Sequence, residues 1–111
     1  MKLKPTEHQI QKGIMDYLKM RNILCWRNNT GAMTIIDKYG RRRYLRTGIK
    51  GLPDIFCLLP DIILMLEVKN ATGRLSSDQR AFFKIARELG HSCEVCRSVD
   101  DVEEILKRFI L

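Results

Sequence analysis

Pro53-Asp54-Ile55-Phe56-Cys57-Leu58-Leu59-Pro60-Asp61-Ile62-Ile63-Leu64-Met65-Leu66-Glu67-Val68-Lys69 is the stretch on which the fold turns. Two strongly apolar runs, Asp54–Leu59 and Ile62–Lys69, flank Pro60-Asp61, a pair suited to a turn. Apolar residues occupy both phases of each run, which marks central strands covered on both faces, so helices are expected on each side. If the runs pair as a hairpin about Pro60-Asp61, Leu59 faces Ile62 and Asp54 faces Glu67. Directly opposed side chains in an antiparallel pair share a face, with Cβ atoms roughly 4.5–5.5 Å apart. Lys69, two residues past Glu67, emerges on that same face, while Val68 points the other way and offers only its backbone carbonyl.

Two carboxylates held face to face repel unless something positive lies between them, and a divalent cation answers that need. The set of two acids, a carbonyl and an amine suits Mg²⁺ or Mn²⁺, hard ions that keep several waters and take substrate phosphates in the remaining positions. That chemistry points to phosphodiester hydrolysis, with Lys69 orienting or deprotonating the attacking water and offsetting charge in the transition state. The plainer reading is that Asp54 and Lys69 are polar strand ends and that Glu67 pairs internally with Lys69. The catalytic reading gains from the position of the acids, at opposed ends of two otherwise apolar strands.

Immediately upstream lies a strongly basic stretch. Met33 to Asp37 and Arg42 to Leu45 read as a hairpin turning at Lys38-Tyr39-Gly40-Arg41, and Lys38, Arg41, Arg42, Arg43, Arg46 and Lys50 have Asp37 as their only acidic neighbour. With Arg74, these cations suit DNA phosphates, which position a protein without reading sequence. Tyr39 and Tyr44 fit either base stacking or an ordinary strand and turn. Across the chain, 20 Lys and Arg against 13 Asp and Glu give +7, which favours a polyanionic partner. No base-reading module is visible, so cleavage is expected to follow DNA shape or ends more than sequence.

Further out, Thr6 with Gln9 forms the signature of a capping box, opening a helix to about Met20 whose stripe is Ile10, Ile14, Tyr17 and Leu18. Glu7, seven residues before Ile14, projects onto that apolar stripe. Ile23–Asn28 reads as a strand. Downstream, Ser76 caps a helix with Phe82, Phe83, Ala86 and Leu89 inward, stopped by Gly90. Gln79 takes the capping-box position there. Ser92–Arg97 is a strand, and Ser98 caps a last amphipathic helix with Val99, Val102, Ile105, Leu106 and Phe109. The order predicts an α/β sandwich: a mixed, mostly antiparallel central sheet flanked by helices, in one domain spanning residues 1–111.

Cys93 and Cys96 have C-x-x-C spacing, but positions three apart on a strand face opposite sides, and no clustered His completes a zinc set. They read as structural thiols of a reducing compartment, and with no apolar run near the roughly 20 residues that span a bilayer, the expected location is cytoplasmic, without membrane contact. His8 and His91 read as bystanders. No nucleotide cofactor is expected.

Pro53-Asp54, twelve intervening residues and Glu67-Val68-Lys69 resemble the PD-(D/E)xK nuclease motif. The wider pattern, with Glu7, the Gly51-Leu52-Pro53-Asp54 turn, Gly73-Arg74-Leu75-Ser76 and Gln79, is similar to the VRR-NUC branch. The resemblance implies a restriction-endonuclease-like core. It also implies metal ligation by Asp54, Glu67 and the Val68 carbonyl, a catalytic Lys69, and Glu7 and Gln79 completing the site, Glu7 as a further metal ligand. Stand-alone relatives of this kind suggest homodimers acting on branched DNA such as four-way junctions, and pairing two copies would widen a small basic face. The competing class is a non-catalytic nucleic-acid-binding module that keeps the fold and charge.

Overall fold

In the computed structural model, which describes residues 3–28, 31–47 and 49–110, nine elements follow in order. They are α1 (Glu7–Met20), β1 (Cys25–Arg27), β2 (Gly31–Ile36), β3 (Arg42–Thr47), β4 (Ile55–Leu58), β5 (Ile63–Val68), α2 (Ser77–Glu88), β6 (Ser92–Cys96) and α3 (Val99–Leu106). Four strands form one mixed sheet in the order β1-β4-β5-β6, antiparallel except for the β5–β6 pair. A parallel pair needs a crossover, and α2 supplies it. Three helices around this sheet make the expected α/β, restriction-endonuclease-like architecture.

The β4–β5 register is the one expected about Pro60-Asp61: Ile55 pairs with Leu66 and Leu58 with Ile63, and Leu59 N–H donates to the Ile62 carbonyl at 3.0 Å. Side chains along β5 then alternate between two cores. Leu64, Leu66 and Val68 join Ile55 and Cys57 against Ile14, Met15 and Leu18 of α1 and Val102, Ile105 and Leu106 of α3. Met65 meets Phe83 and Ala86 of α2 on the opposite face, together with Cys93. Glu67 is in phase with Met65 and so belongs to the α2 face. Cys93 and Cys96 are both free and buried, one in each core, as strand alternation requires.

Three expectations need correction. The basic hairpin is longer than anticipated and forms its own two-stranded sheet, whose strands touch no other helix or strand among the described residues. Ile35 and Ile36 remain exposed. Leu89 is not on the inner face of α2: it is the C-cap, 73% exposed, and Phe83 and Ala86 carry the burial. Glu7 lies on the stripe by angle, yet it is exposed, because the first turn of α1 precedes the buried positions Ile14, Met15 and Leu18.

Local signals set the helix ends. In α1, Gln9 N–H donates to Thr6 Oγ1 at 3.1 Å and Thr6 N–H to Gln9 Oε1 at 2.9 Å, the reciprocal pair of a capping box. Ser76 and Gln79 repeat the arrangement at α2, and Ser98 accepts from Asp101 N–H at α3. Among the described residues, no helix is long and apolar enough to cross a membrane.

Candidate active site

Asp54 precedes β4 by one residue, and the register extended by that residue sets it across from Glu67 near the end of β5. Asp54 Oδ2 accepts from the Val68 N–H at 2.8 Å, which ties the acid to the strand that bears its partner. Asn28 holds the other side of Asp54: its N–H donates to the Asp54 carbonyl at 2.8 Å and its Nδ2 to the Pro53 carbonyl at 2.9 Å. Trp26 Nε1 in turn donates to Asn28 Oδ1 at 3.1 Å. The sequence marks Asn28 only as the end of a strand. Its role comes from the β1–β4 pairing, which sets Arg27 against Ile55 and brings the next residue to the Pro53-Asp54 peptide.

Glu67 is the one buried charged residue among those described, at 2% exposure. Its Oε1 accepts from Gln79 Nε2 at 2.9 Å and lies 3.5 Å from Lys69 Nζ. Its Oε2 is buried with no hydrogen-bond partner. Burial pushes the carboxyl up to about 8, the nearby Asp54 charge adds to the rise, and Lys69 opposes it without winning. A carboxylate that keeps a proton near neutrality, beside a second carboxylate, is poised to exchange that proton for a cation.

Lys69 is 12% exposed at its side chain, and its N–H donates to the Cys96 carbonyl at 3.0 Å, so the backbone under the ammonium is fixed by β6. Gln79 does two jobs at once. Its Oε1 accepts the Ser76 N–H at 2.8 Å while its Nε2 donates to Glu67, so one side chain both caps the helix and contacts the buried acid. Gly51 makes room for this end of α2. It has φ +77°, and a Cβ there would fall onto the Asp78 carbonyl and the Gln79 nitrogen.

Asp54, Glu67, Lys69 and Gln79 are thus brought together with the Val68 backbone, whereas Glu7 is not gathered with them. It lines a cleft of about 660 Å³ with Lys4, Ile10, Asn70, Thr72 and Arg97. Among the described residues, no group of three or more His, Cys, Asp or Glu side chains converges to hold a metal. The donors available are two carboxylates and backbone oxygen. Such a donor set could hold Mg²⁺ or Mn²⁺, which bind through one or two carboxylates and keep water or phosphate elsewhere, and an ion there would give the unpartnered Glu67 Oε2 a partner.

In the basic hairpin, Asp37 occupies two of the cations. Its Oδ2 lies 3.3 Å from Arg41 Nε and 3.2 Å from Arg43 Nε, and its Oδ1 accepts the N–H groups of Tyr39 and Arg41. These bonds hold the Asp37 carboxyl below its ordinary range, the Arg41 N–H contributing most. Lys38 and Arg41 lie over the Tyr39 ring, at 5.2 Å and 5.0 Å from its centroid. Arg42, Lys50 and Arg74 are exposed. The side chains of Arg46 and Tyr44 lie outside the described residues. His91 Nδ1 accepts the Ile63 N–H at 3.1 Å, a structural bond, as expected of a bystander.

No match is found among curated proteins. The VRR-NUC domain profile matches residues 5–100, which takes in every element from α1 to the start of α3 and therefore the whole Asp54–Glu67–Lys69 arrangement. On that match the chain belongs to the VRR-NUC family of the PD-(D/E)xK nuclease superfamily, and its function is that of a DNA-cleaving nuclease.

Proposed function

We infer that the protein is a Mg²⁺- or Mn²⁺-dependent DNA endonuclease in which Asp54, Glu67 and the Val68 carbonyl hold the ion and Lys69 assists the chemistry. The observation that carries this reading is the buried Glu67 carboxyl, opposed by Asp54 and left with one oxygen unpartnered. Bound there, the ion supplies Lewis-acid polarisation of the phosphodiester and acidification of water. Gln79 fixes the rotamer of Glu67 through Oε1, which leaves Oε2 free. Lys69 keeps its ammonium against that same Oε1 and offsets the negative charge that grows on the phosphate oxygens. Glu7 sits beyond the end of β5 on the cleft beside Asn70, where it contributes at the margin of the site.

The substrate is DNA recognised by structure more than by sequence, including branched forms, with two copies of the chain acting together. The exposed cations Lys38, Arg42, Lys50 and Arg74 support phosphate-directed binding. The test incubates the purified protein with linear, flap and four-way-junction DNA, in Mn²⁺ or EDTA, beside Glu67→Gln and Lys69→Ala. Cutting is expected from the wild type with Mn²⁺ alone, with junctions preferred and a dimer in sedimentation. Equal cutting by wild type and variants places the activity in a contaminant, and binding without any cutting favours the non-catalytic module.

A further inference from the structure

Lys69 directly follows the central strand β5, and the chain beyond it turns back over the lysine's own stem. Asn70 Oδ1 accepts from three donors: the Thr72 N–H at 3.1 Å, the Thr72 hydroxyl at 3.3 Å and the Gly73 N–H at 2.8 Å. That cluster brings Gly73 against the lysine, so that a Cβ on Gly73 would stand 3.3 Å from Lys69 Cδ and 3.4 Å from Lys69 Cβ. The turn therefore lies along the aliphatic part of Lys69, whose side chain is only 12% exposed.

One residue far away in sequence closes this turn. Arg97 Nη1 donates to the Asn70 carbonyl at 2.6 Å and to the Gly73 carbonyl at 2.8 Å, spanning the two ends of the turn with a single charged nitrogen. Arg97 is itself anchored. It comes directly after Cys96, whose carbonyl receives the Lys69 N–H, and its own N–H donates to Asp101 Oδ2 of α3 at 2.8 Å. The β6–α3 junction thus grips both the backbone of Lys69 and the turn that covers its side chain. Two charge-assisted bonds to carbonyls from one guanidinium are stronger than neutral ones and hold a fixed geometry.

We propose that Arg97 is a positioning residue for Lys69: by tying Asn70 to Gly73 it keeps the turn closed on the lysine stem and the ammonium beside Glu67. The catalytic consequence rests on the nuclease reading above, whereas the mechanical link between Arg97 and Lys69 does not. A displacement of about 1 Å at a reacting group can cost 100-fold in rate. Loosening the turn therefore lowers turnover without removing any group from the site. Arg97 does not touch Glu67 or Asp54 in this scheme, and its effect travels through the turn.

The test has two readouts. In the first, the folded protein is treated briefly with an acetylating reagent and lysine modification is quantified by mass spectrometry, with the exposed Lys12 and Lys107 as internal references. Lys69 is expected to be protected in the wild type and to become several-fold more reactive in Arg97→Ala and in Asn70→Ala, which opens the same turn from the other side. In the second, Mn²⁺-dependent cleavage is expected to fall 10- to 100-fold in kcat for both variants, with KM for DNA unchanged and Arg97→Lys partly restored. Unchanged Lys69 reactivity in both folded variants overturns the proposal. So does a raised KM with kcat intact and a shallower salt dependence, which would make Arg97 a DNA contact. Absence of cleavage by the wild type removes the nuclease reading, and the acetylation result still decides the positioning role.

Discussion

Gln79 Nε2 donates to Glu67 Oε1 at 2.9 Å while Gln79 Oε1 accepts the N–H at the start of its own helix, so the rotamer of a buried acid is set by a helix cap. The two functions separate by mutation. Ser76→Ala removes a cap without touching Glu67 and is expected to lower stability by about 0.5–2 kcal/mol while cleavage stays near the wild-type rate. Gln79→Ala is expected to lose comparable stability and, in addition, roughly tenfold in kcat, because Glu67 is freed to turn. Thermal melts alongside single-turnover cleavage distinguish the pair.

The Glu67 carboxyl makes stability depend on pH in an unusual direction. Folding raises it from 4.5 to about 8, so between those values the folded protein binds more protons than the unfolded chain. Stability therefore falls as pH rises through that window in metal-free buffer, and the loss is complete above the folded value. Glu67→Gln is expected to flatten this slope. It should also raise the melting temperature at pH 8 by several degrees, since an unsatisfied buried charge costs more than about 1 kcal/mol and that shifts a domain of this size by roughly 4–8 °C. Mn²⁺ is expected to restore stability to the wild type at pH 8 and to leave the variant unchanged. Melting curves from pH 5 to 9, in EDTA and in Mn²⁺, supply the comparison.

The face-to-face acids were legible because everything that sets them is local. Pro60-Asp61 fixes a short turn, the runs on either side leave no ambiguity about pairing, and strand alternation then fixes the faces of Asp54, Glu67 and Lys69. The capping boxes at Thr6 and Ser76 were equally local. What escaped depends on where elements end in space. Helical spacing gave the angle of Glu7 on α1 and not its height above the core, so its exposure was invisible. Alternating apolar and basic residues from Met33 to Leu45 describe an edge strand and a free-standing hairpin equally well. Asn28 and Arg97 act through neighbours that only the sheet order brings close, and nothing in their sequence surroundings marks them.

Gly51 combines a left-handed backbone with a contact too close for any side chain. Gly51→Ala is expected to destabilise by about 1–3 kcal/mol from the backbone alone, with a further loss from collision with Asp78. Because the collision falls on the turn that bears Gln79, cleavage should drop more than stability explains. Activity measured well below the variant's melting temperature tests this.

Within the basic hairpin the cations are unequal. Arg42 is exposed, whereas Arg43 shares Asp37 with Arg41. Arg42→Ala is expected to weaken DNA binding uniformly across sequences and to reduce the salt slope by about one unit. Arg43→Ala should do less, and Asp37→Asn should tighten binding by releasing both guanidinium groups. Binding titrations at several salt concentrations, in EDTA to prevent cutting, rank the three.

The two thiols on β6 belong to separate layers: Cys93 is covered by α2, and Cys96 lies under α1 and α3. Each is buried and held above its ordinary range by desolvation, so neither reacts while its covering helix stays in place. Each side of the sheet therefore carries a β6 thiol that serves as a chemical clock, with Cys57 a further buried thiol on the α1 and α3 side. The alkylation rates of Cys93 and Cys96, followed separately, would time how often the layer that bears Gln79 lifts away compared with the layer behind it.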